Sequence, residues 1–228
     1  MKILISIYFI ALISSSLFSQ PQKGNLLLGG GFSYSDTKEE ASNLYDDQIT
    51  SFVFNPSFNF YLNDFFTLGL SFTYSNIKNS QMDLNNFNSQ RSSFIAKVKT
   101  YYIGPILSLQ PKIINKLHFK GDFQLNFGFG SGDYRADGSS NYESEIDVLE
   151  FRITPGLIYF ISPSLAISGS FGGIVFEDGE EVFTFPSLGN SPNSEETKNM
   201  NNVGFDFNPA NFNLNLFFLF GGNKSSKE

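Results

Sequence analysis

From residue 24 onward the chain falls into eight segments in which large apolar side chains recur at every second position. That is the period of a β-strand with one face toward an apolar medium. The segments cover residues 24–35, 50–62, 66–76, 94–109, 117–129, 148–161, 165–176 and 203–220. In the third, Phe66, Leu68, Leu70, Phe72 and Tyr74 alternate without exception with Thr67, Gly69, Ser71, Thr73 and Ser75. In the second, Phe52, Phe54, Phe58 and Phe60 oppose Ser51, Asn55, Ser57 and Asn59. The eighth changes parity between Phe205 and Phe207 and the run Phe212, Leu214, Leu216, Phe218 and Phe220, which predicts a bulge near Pro209.

The connections alternate in length. Residues 63–65, 110–116 and 162–164 are short links, whereas 36–49, 77–93, 130–147 and 177–202 are long ones. Membrane barrels sort their loops in this way, with tight turns inside and long loops outside. The polar face of the segments is mostly Gly, Ser, Thr and Asn, where a soluble barrel would carry Lys and Glu, and this suits a narrow lumen. The expected fold is therefore all-β: an eight-stranded antiparallel up-and-down transmembrane β-barrel with short periplasmic turns and long extracellular loops.

Residues 1–19 read as a secretory signal peptide, with Lys2 followed by an apolar run over residues 3–13 and by Ser14, Ser15, Ser16 and Ser19. Cleavage is expected after Ser19 or Gln20, leaving residues 20–228 as one barrel domain in the bacterial outer membrane. No later run of about 18 apolar residues exists to form a spanning helix, so strands must do the crossing.

Composition narrows the picture. Charged residues make up only 16% of the chain, against roughly 25% in a soluble domain, while Phe alone contributes 28 residues. Much of the surface is thus expected to face something other than water. A net charge of -7 with no basic patch excludes a sequence-blind grip on nucleic acid. The absence of cysteine removes disulfides, thiolate metal sites and a lipidated anchor. Of 22 acidic residues, 17 fall in the four long links, so the outer loops should be acidic.

The few charges inside the segments, Lys97, Lys99, Lys120, Asp122, Glu150 and Arg152, are read as sharing the small-residue parity. Lys97, Lys99, Glu150 and Arg152 are expected at similar depth with Asp122 between them, as a structural charge cluster plugging the lumen. Buried charges need partners, and both signs are present. Solvated lumen residues are the plainer alternative.

The pattern resembles the outer-membrane β-barrel family that includes OmpX and the OmpA membrane domain. Asn55-Pro56-Ser57-Phe58-Asn59-Phe60-Tyr61-Leu62-Asn63-Asp64-Phe65-Phe66-Thr67-Leu68-Gly69-Leu70 looks like a strand-turn-strand unit of that family, and Ile153-Thr154-Pro155-Gly156-Leu157-Ile158-Tyr159-Phe160-Ile161-Ser162-Pro163-Ser164-Leu165-Ala166-Ile167 looks like a second. Leu214-Asn215-Leu216-Phe217-Phe218-Leu219-Phe220 is similar to the aromatic-ended final strand that the barrel-assembly machinery reads, although here the chain continues to Glu228. The resemblance implies an outer-membrane location and fold, with lipid and the assembly machinery as partners, and no single activity.

Candidate chemistry is sparse. His118 is the only histidine and opens the fifth segment at the expected periplasmic end, where it reads as a turn residue. Asp133 to Asn141 has a superficial calcium-loop look, but Arg135 occupies a ligand position and Ser144 the twelfth. Glu177, Asp178, Glu180 and Glu181, or Asp46 and Asp47, are suitable hard-cation ligands, with solvated loop acids the simpler reading. Gly29, Gly30 and Gly31 precede no helix and do not form a phosphate loop. No catalytic, cofactor or metal residues are expected. The leading expectation is a non-enzymatic barrel with a closed polar lumen and a structural or surface-interaction role, its acidic loops meeting an external partner. The alternatives are a narrow channel for small solutes or ions and a lipid-modifying enzyme of the outer leaflet.

Overall fold

The computed structural model describes residues 21–40, 45–83, 92–136, 141–186, 193–206 and 212–221. The signal segment and Pro209 lie outside the described residues. The described strands are β1 (Leu26–Glu40), β2 (Tyr45–Tyr61), β3 (Phe66–Asp83), β4 (Ser92–Leu109), β5 (Lys112–Ile114), β6 (Leu117–Ala136), β7 (Tyr142–Ser162), β8 (Leu165–Phe171), β9 (Gly173–Phe185), β10 (Ser194–Asp206) and β11 (Phe212–Phe220). Antiparallel pairing runs β1-β2-β3-β4-β6-β7-β8-β11 and returns to β1, a closed ring of eight. An all-β ring with neighbours in chain order is the architecture that the alternating segments predict.

The strands are longer than the sequence periods indicate. Of the long links, residues 36–40 and 45–49, 77–83 and 92–93, 130–136 and 142–147, and 177–185 and 194–202 are paired strand, so most of each expected loop is a hairpin extension. The short link 110–116 is not a bare turn either. It holds β5, which folds back on Leu117 and His118, and Lys116 turns the chain with a φ of 68°.

The seventh strand of the ring, β8 continued by β9, is interrupted. The lower part of β7 pairs with β8 and its upper part with β9. Between them Gly172 and Gly173 take φ values of 62° and 158°, which a side chain would disfavour. A Cβ on Gly173 would also stand 2.5 Å from the Ile153 carbonyl oxygen. On the last strand Asp206 opposes Gly173 and Phe212 opposes Phe171, and residues 207–211 lie outside the described residues. The outward positions are odd-numbered at Val203 and Phe205 and even-numbered at Leu214, Leu216 and Phe218, which is the shift of parity seen in the eighth segment.

On each strand the outward face changes at one margin from apolar to mainly polar, with Ile95 on β4 and Val182 on β9 as apolar positions beyond it. The last apolar and first polar positions are Tyr34 and Asp36, Phe52 and Thr50, Tyr74 and Asn76, Tyr101 and Lys99, Phe129 and Ser131, Leu149 and Asp147, Phe176 and Asp178, and Val203 and Asn201. In register the switch stays level or steps by two residues between neighbours: Tyr74 faces Tyr101, which faces Phe129, and Phe129 faces Asp147. Such stepping is what tilted strands produce for a boundary at constant height. Rings lie along this margin, with centroids 6.2 Å apart for Phe52 and Tyr74, 5.1 Å for Tyr74 and Tyr101, and 5.4 Å for Tyr101 and Phe129. These separations are typical of interacting aromatic pairs.

A candidate functional site in the ring interior

Inward-facing side chains fill the ring in tiers. At the short-turn end Leu27, Tyr61, Ile158, Phe160, Ala166, Phe217 and Leu219 form one buried apolar cluster. Tyr61 keeps its hydroxyl satisfied by donating to Gln110 Oε1 at 2.6 Å. His118 belongs to this tier. It is buried, its Nδ1 lies 3.1 Å from the Gln110 carbonyl oxygen, and its ring meets Phe160 edge-on with centroids 5.1 Å apart. The expectation of a turn residue is thus corrected, because position 118 already has the inward parity of β6.

Above this floor Lys120 pairs with Asp122, two residues along the same face of β6. Asp122 also accepts a hydrogen bond from Ser108 Oγ at 2.6 Å, and the Lys120 ammonium sits 5.7 Å from the centre of the Phe217 ring. The next tier is built on Glu150. Its carboxylate accepts from Arg152 Nη2 at 2.6 Å, from Arg152 Nε at 3.1 Å and from Asn126 Nδ2 at 2.9 Å, while Ser71 Oγ donates to Asn126 Oδ1 at 3.1 Å. Both charge pairs neutralise themselves on one strand, which limits the cost of burying ions.

Lys97 and Lys99 do not join them. Tyr102, Ile106 and Ser108 fix the inward parity of β4, so both lysines point outward, exposed, just beyond Tyr101 at the margin of the apolar band. The register confirms the difference in depth: Lys99 faces Ser131, whereas Glu150 faces Asn126. The expected single cluster is two separate ion pairs plus two outward lysines.

In the extensions of β4, β6, β7 and β9 the inner face is aromatic. Tyr134 stacks on Tyr142 with centroids 4.8 Å apart and planes 8° from parallel, and Phe183 and Phe185 pack against them. Beside these rings Glu181, buried, accepts from Tyr134 Oη and Ser144 Oγ, each at 2.7 Å. Burial, assisted by that carboxylate, pushes the Tyr134 phenol up to about 12. The apolar alternation does not signal this arrangement, because residues 130–147 and 177–202 have the composition of loops. The acidic run is split by the strand period: Glu177 and Glu181 face in while Asp178 and Glu180 face out. The side chains of Asp46 and Asp47, and residues 137–140 of the calcium-like stretch, lie outside the described residues.

No protein-family model matches the chain, and no curated protein sequence does. Among solved structures it is similar to Ail, the attachment invasion locus protein of Yersinia pestis, with 14% identity, a TM-score of 0.43, and 87% of this chain and 100% of that one covered. It is also similar to the outer membrane protein OprG from Pseudomonas aeruginosa, with 12% identity, a TM-score of 0.44, and 90% and 100% covered. A third is a major outer membrane protein from Thermus thermophilus, with 10% identity, a TM-score of 0.45, and 86% and 98% covered. Similarity of this degree says nothing of what the chain does.

Proposed function

We propose that the chain is an integral protein of the bacterial outer membrane. Its ring spans the bilayer, its interior is closed by its own side chains, and its role is structural or in surface contact rather than catalytic. One observation carries the reading: on every strand of the ring the outward face is apolar up to one margin and mainly polar beyond it, Ile95 and Val182 being among the exceptions. An apolar surface that encircles a molecule far exceeds what a protein in water exposes, and a lipid-facing band flanked by aromatic residues is how a barrel meets a bilayer. The short turns then lie in the periplasm and the hairpin extensions outside.

The closed interior is supported by the apolar floor and by the Lys120–Asp122 and Glu150–Arg152 pairs above it. The non-catalytic reading is supported by the surroundings of His118, a carbonyl oxygen and a phenyl ring, neither of which activates a nucleophile. Export through the cleaved signal, insertion by the barrel-assembly machinery, and contact of the acidic hairpins with a basic external partner complete the proposal.

The test is membrane fractionation combined with gel migration of boiled and unboiled samples. Recovery in the outer-membrane fraction, with faster migration before boiling, is expected. A soluble protein that migrates identically in both states would overturn the reading. Steady conductance in planar bilayers would overturn the closed interior alone.

A further inference from the structure

Charge is segregated around the outside of the ring, just beyond its apolar margin. Among the described residues the outward positions there on β3 and β4 hold Lys78, Lys97 and Lys99 and no acid, whereas those on β7 and β9 hold Glu143, Glu145, Asp147, Asp178 and Glu180 and no base. β6 lies between them and carries both Asp133 and Arg135 outward. The two faces stand at one height. Lys99, Asp147 and Asp178 are each the first outward residue past the margin on their strands, and Lys97, Lys78, Glu145 and Glu180 are the second.

Each face sets like charges against one another. Lys78 is directly opposite Lys97 across β3 and β4, and Asp147 is directly opposite Glu180 across β7 and β9. Such pairs weaken a strand pairing, and among the described residues none of the four side chains has an ion-pair partner within the chain. Each pair therefore favours a counter-charge from outside. The faces also match in build. On the acidic side a groove of about 560 Å³ is lined by Phe127, Phe129 and Leu149 on the apolar side of the margin and by Asp147, Asp178 and Glu180 beyond it. On the basic side Lys97 and Lys99 follow Tyr101 and Ile103 outward along β4. Both faces are thus charged above and apolar below.

We propose that a second copy of this chain covers these faces: the Lys78, Lys97 and Lys99 face of one barrel docks against the Asp147, Asp178 and Glu180 face of the next, side by side in the membrane. The inference rests on the membrane-spanning reading above. A lipid phosphate would answer the basic face alone and a metal ion the acidic face alone, whereas a second copy answers both at the same height. Beneath the charges a neighbouring barrel is no more apolar than lipid, so the charges select the partner. The two faces lie three strands apart in a ring of eight, so the contact is head-to-tail and each barrel keeps one face open for a further copy. The assembly is a row or a closed ring of barrels.

The chain has no cysteine, so Asp64→Cys in the exposed turn between β2 and β3 takes a single fluorophore. Energy transfer between donor- and acceptor-labelled copies of the full-length protein in phosphatidylcholine vesicles reads association. Lys78→Glu with Lys97→Glu should weaken association about tenfold, and so should Asp147→Lys with Glu180→Lys, each checked for retained heat-modifiable migration. An equimolar mixture of the two variants should restore it, since each then meets its complement. Carbodiimide treatment of the unaltered protein should join Lys97 or Lys99 of one copy to Asp178 or Glu180 of another, seen as links between isotopically light and heavy copies in a ladder that passes beyond dimers. Variants that associate like the unaltered protein, a mixture that fails to recover, or links that stop at dimers overturn the docking while leaving the membrane reading intact. So does association that vanishes with a chelator, which would mean that a metal ion bridges the copies, or in vesicles containing phosphatidic acid, which would mean that a lipid phosphate holds the basic face. Loss of heat-modifiable migration in the unaltered protein instead overturns the membrane reading itself.

Discussion

Arg152 straddles the carboxylate of Glu150 from two positions along the same strand, with Nη2 2.6 Å from Oε2 and Nε 3.1 Å from Oε1. The two side chains differ in their surroundings, since that of Glu150 is 3% exposed and that of Arg152 is 42% exposed. Removing either partner is therefore not equivalent. Arg152→Met strands a buried carboxylate and should destabilise the protein by about 3–5 kcal/mol. Glu150→Gln leaves a guanidinium that reaches a more open part of the interior and should cost about 1–3 kcal/mol, the range of a lost charge-assisted hydrogen bond. Urea titrations of folding into lipid vesicles would measure both, and equal or reversed costs would show that the exposure difference does not govern the pair.

At the floor, the Tyr61 hydroxyl bonds to Gln110 inside a cluster sealed by Ile158 and Leu27. Tyr61→Phe keeps the ring and leaves Gln110 Oε1 without its donor. A loss of about 1–3 kcal/mol is expected, more than the net value of an exposed hydrogen bond, because the abandoned acceptor is buried. A double-mutant cycle with Gln110→Met should recover part of that loss, whereas strict additivity would mean that the hydroxyl has no energetic link to Gln110.

Outward substitutions should depend on height. Leu70 lies midway along the apolar run of β3, and Lys99 lies beyond the margin on β4. Leu70→Lys should cost about 2–4 kcal/mol, as a cation does near the bilayer midplane. Lys99→Glu should change stability by less than about 0.5 kcal/mol, as surface substitutions usually do. The same vesicle titration would read both, and a heavy penalty at Lys99 would place the margin elsewhere.

Tyr134 gives the extensions a pH dependence. Its phenol titrates at about 12 when folded, against an ordinary value of 10.0. The folded form therefore holds its proton more tightly. The stabilisation is complete below about pH 10 and is lost as pH rises from about 10 to about 12. Amide exchange around Ser144 and Glu181 should quicken across that window and should do so less steeply in Tyr134→Phe. Exchange that ignores the window would argue against coupling between the phenol and the extension.

The alternation of Phe66 through Ser75 makes β3 legible, whereas the expected bulge near Pro209 lies outside the described residues. The two lysines of β4 depart from the expected cluster for a physical reason. Beyond the margin the outer medium becomes water while the inner face becomes a small aromatic core, so the phase of the apolar period inverts. Phe94 and Val98 face inward there and Lys97 and Lys99 outward, the reverse of Ser108 and Leu107 below. Reading one parity through the whole segment carries the upper phase into the lower half. The Glu181 site was hidden for the same reason, since Phe183, Ser144 and Tyr134 look like loop residues until the continued pairing aligns them. That the β1–β11 ladder stops at Gly31 and Asn215 has no local signature in the sequence.

The ring closes where Leu26 meets Phe220 and Gly31 meets Asn215, residues from opposite ends of the chain. Every other pairing in the ring, including that of β8 with β11 across β9 and β10, joins segments far nearer in the chain, so hairpins can form as the polypeptide arrives. The last rungs must wait until β11 is present, and bringing such distant segments together carries the largest loop-closure entropy in the molecule. Assembly therefore has a built-in final step. A chain delivered amino terminus first remains an open, curling sheet with two raw edges until its last strand arrives, and whatever escorts it to the bilayer must shield both edges until then.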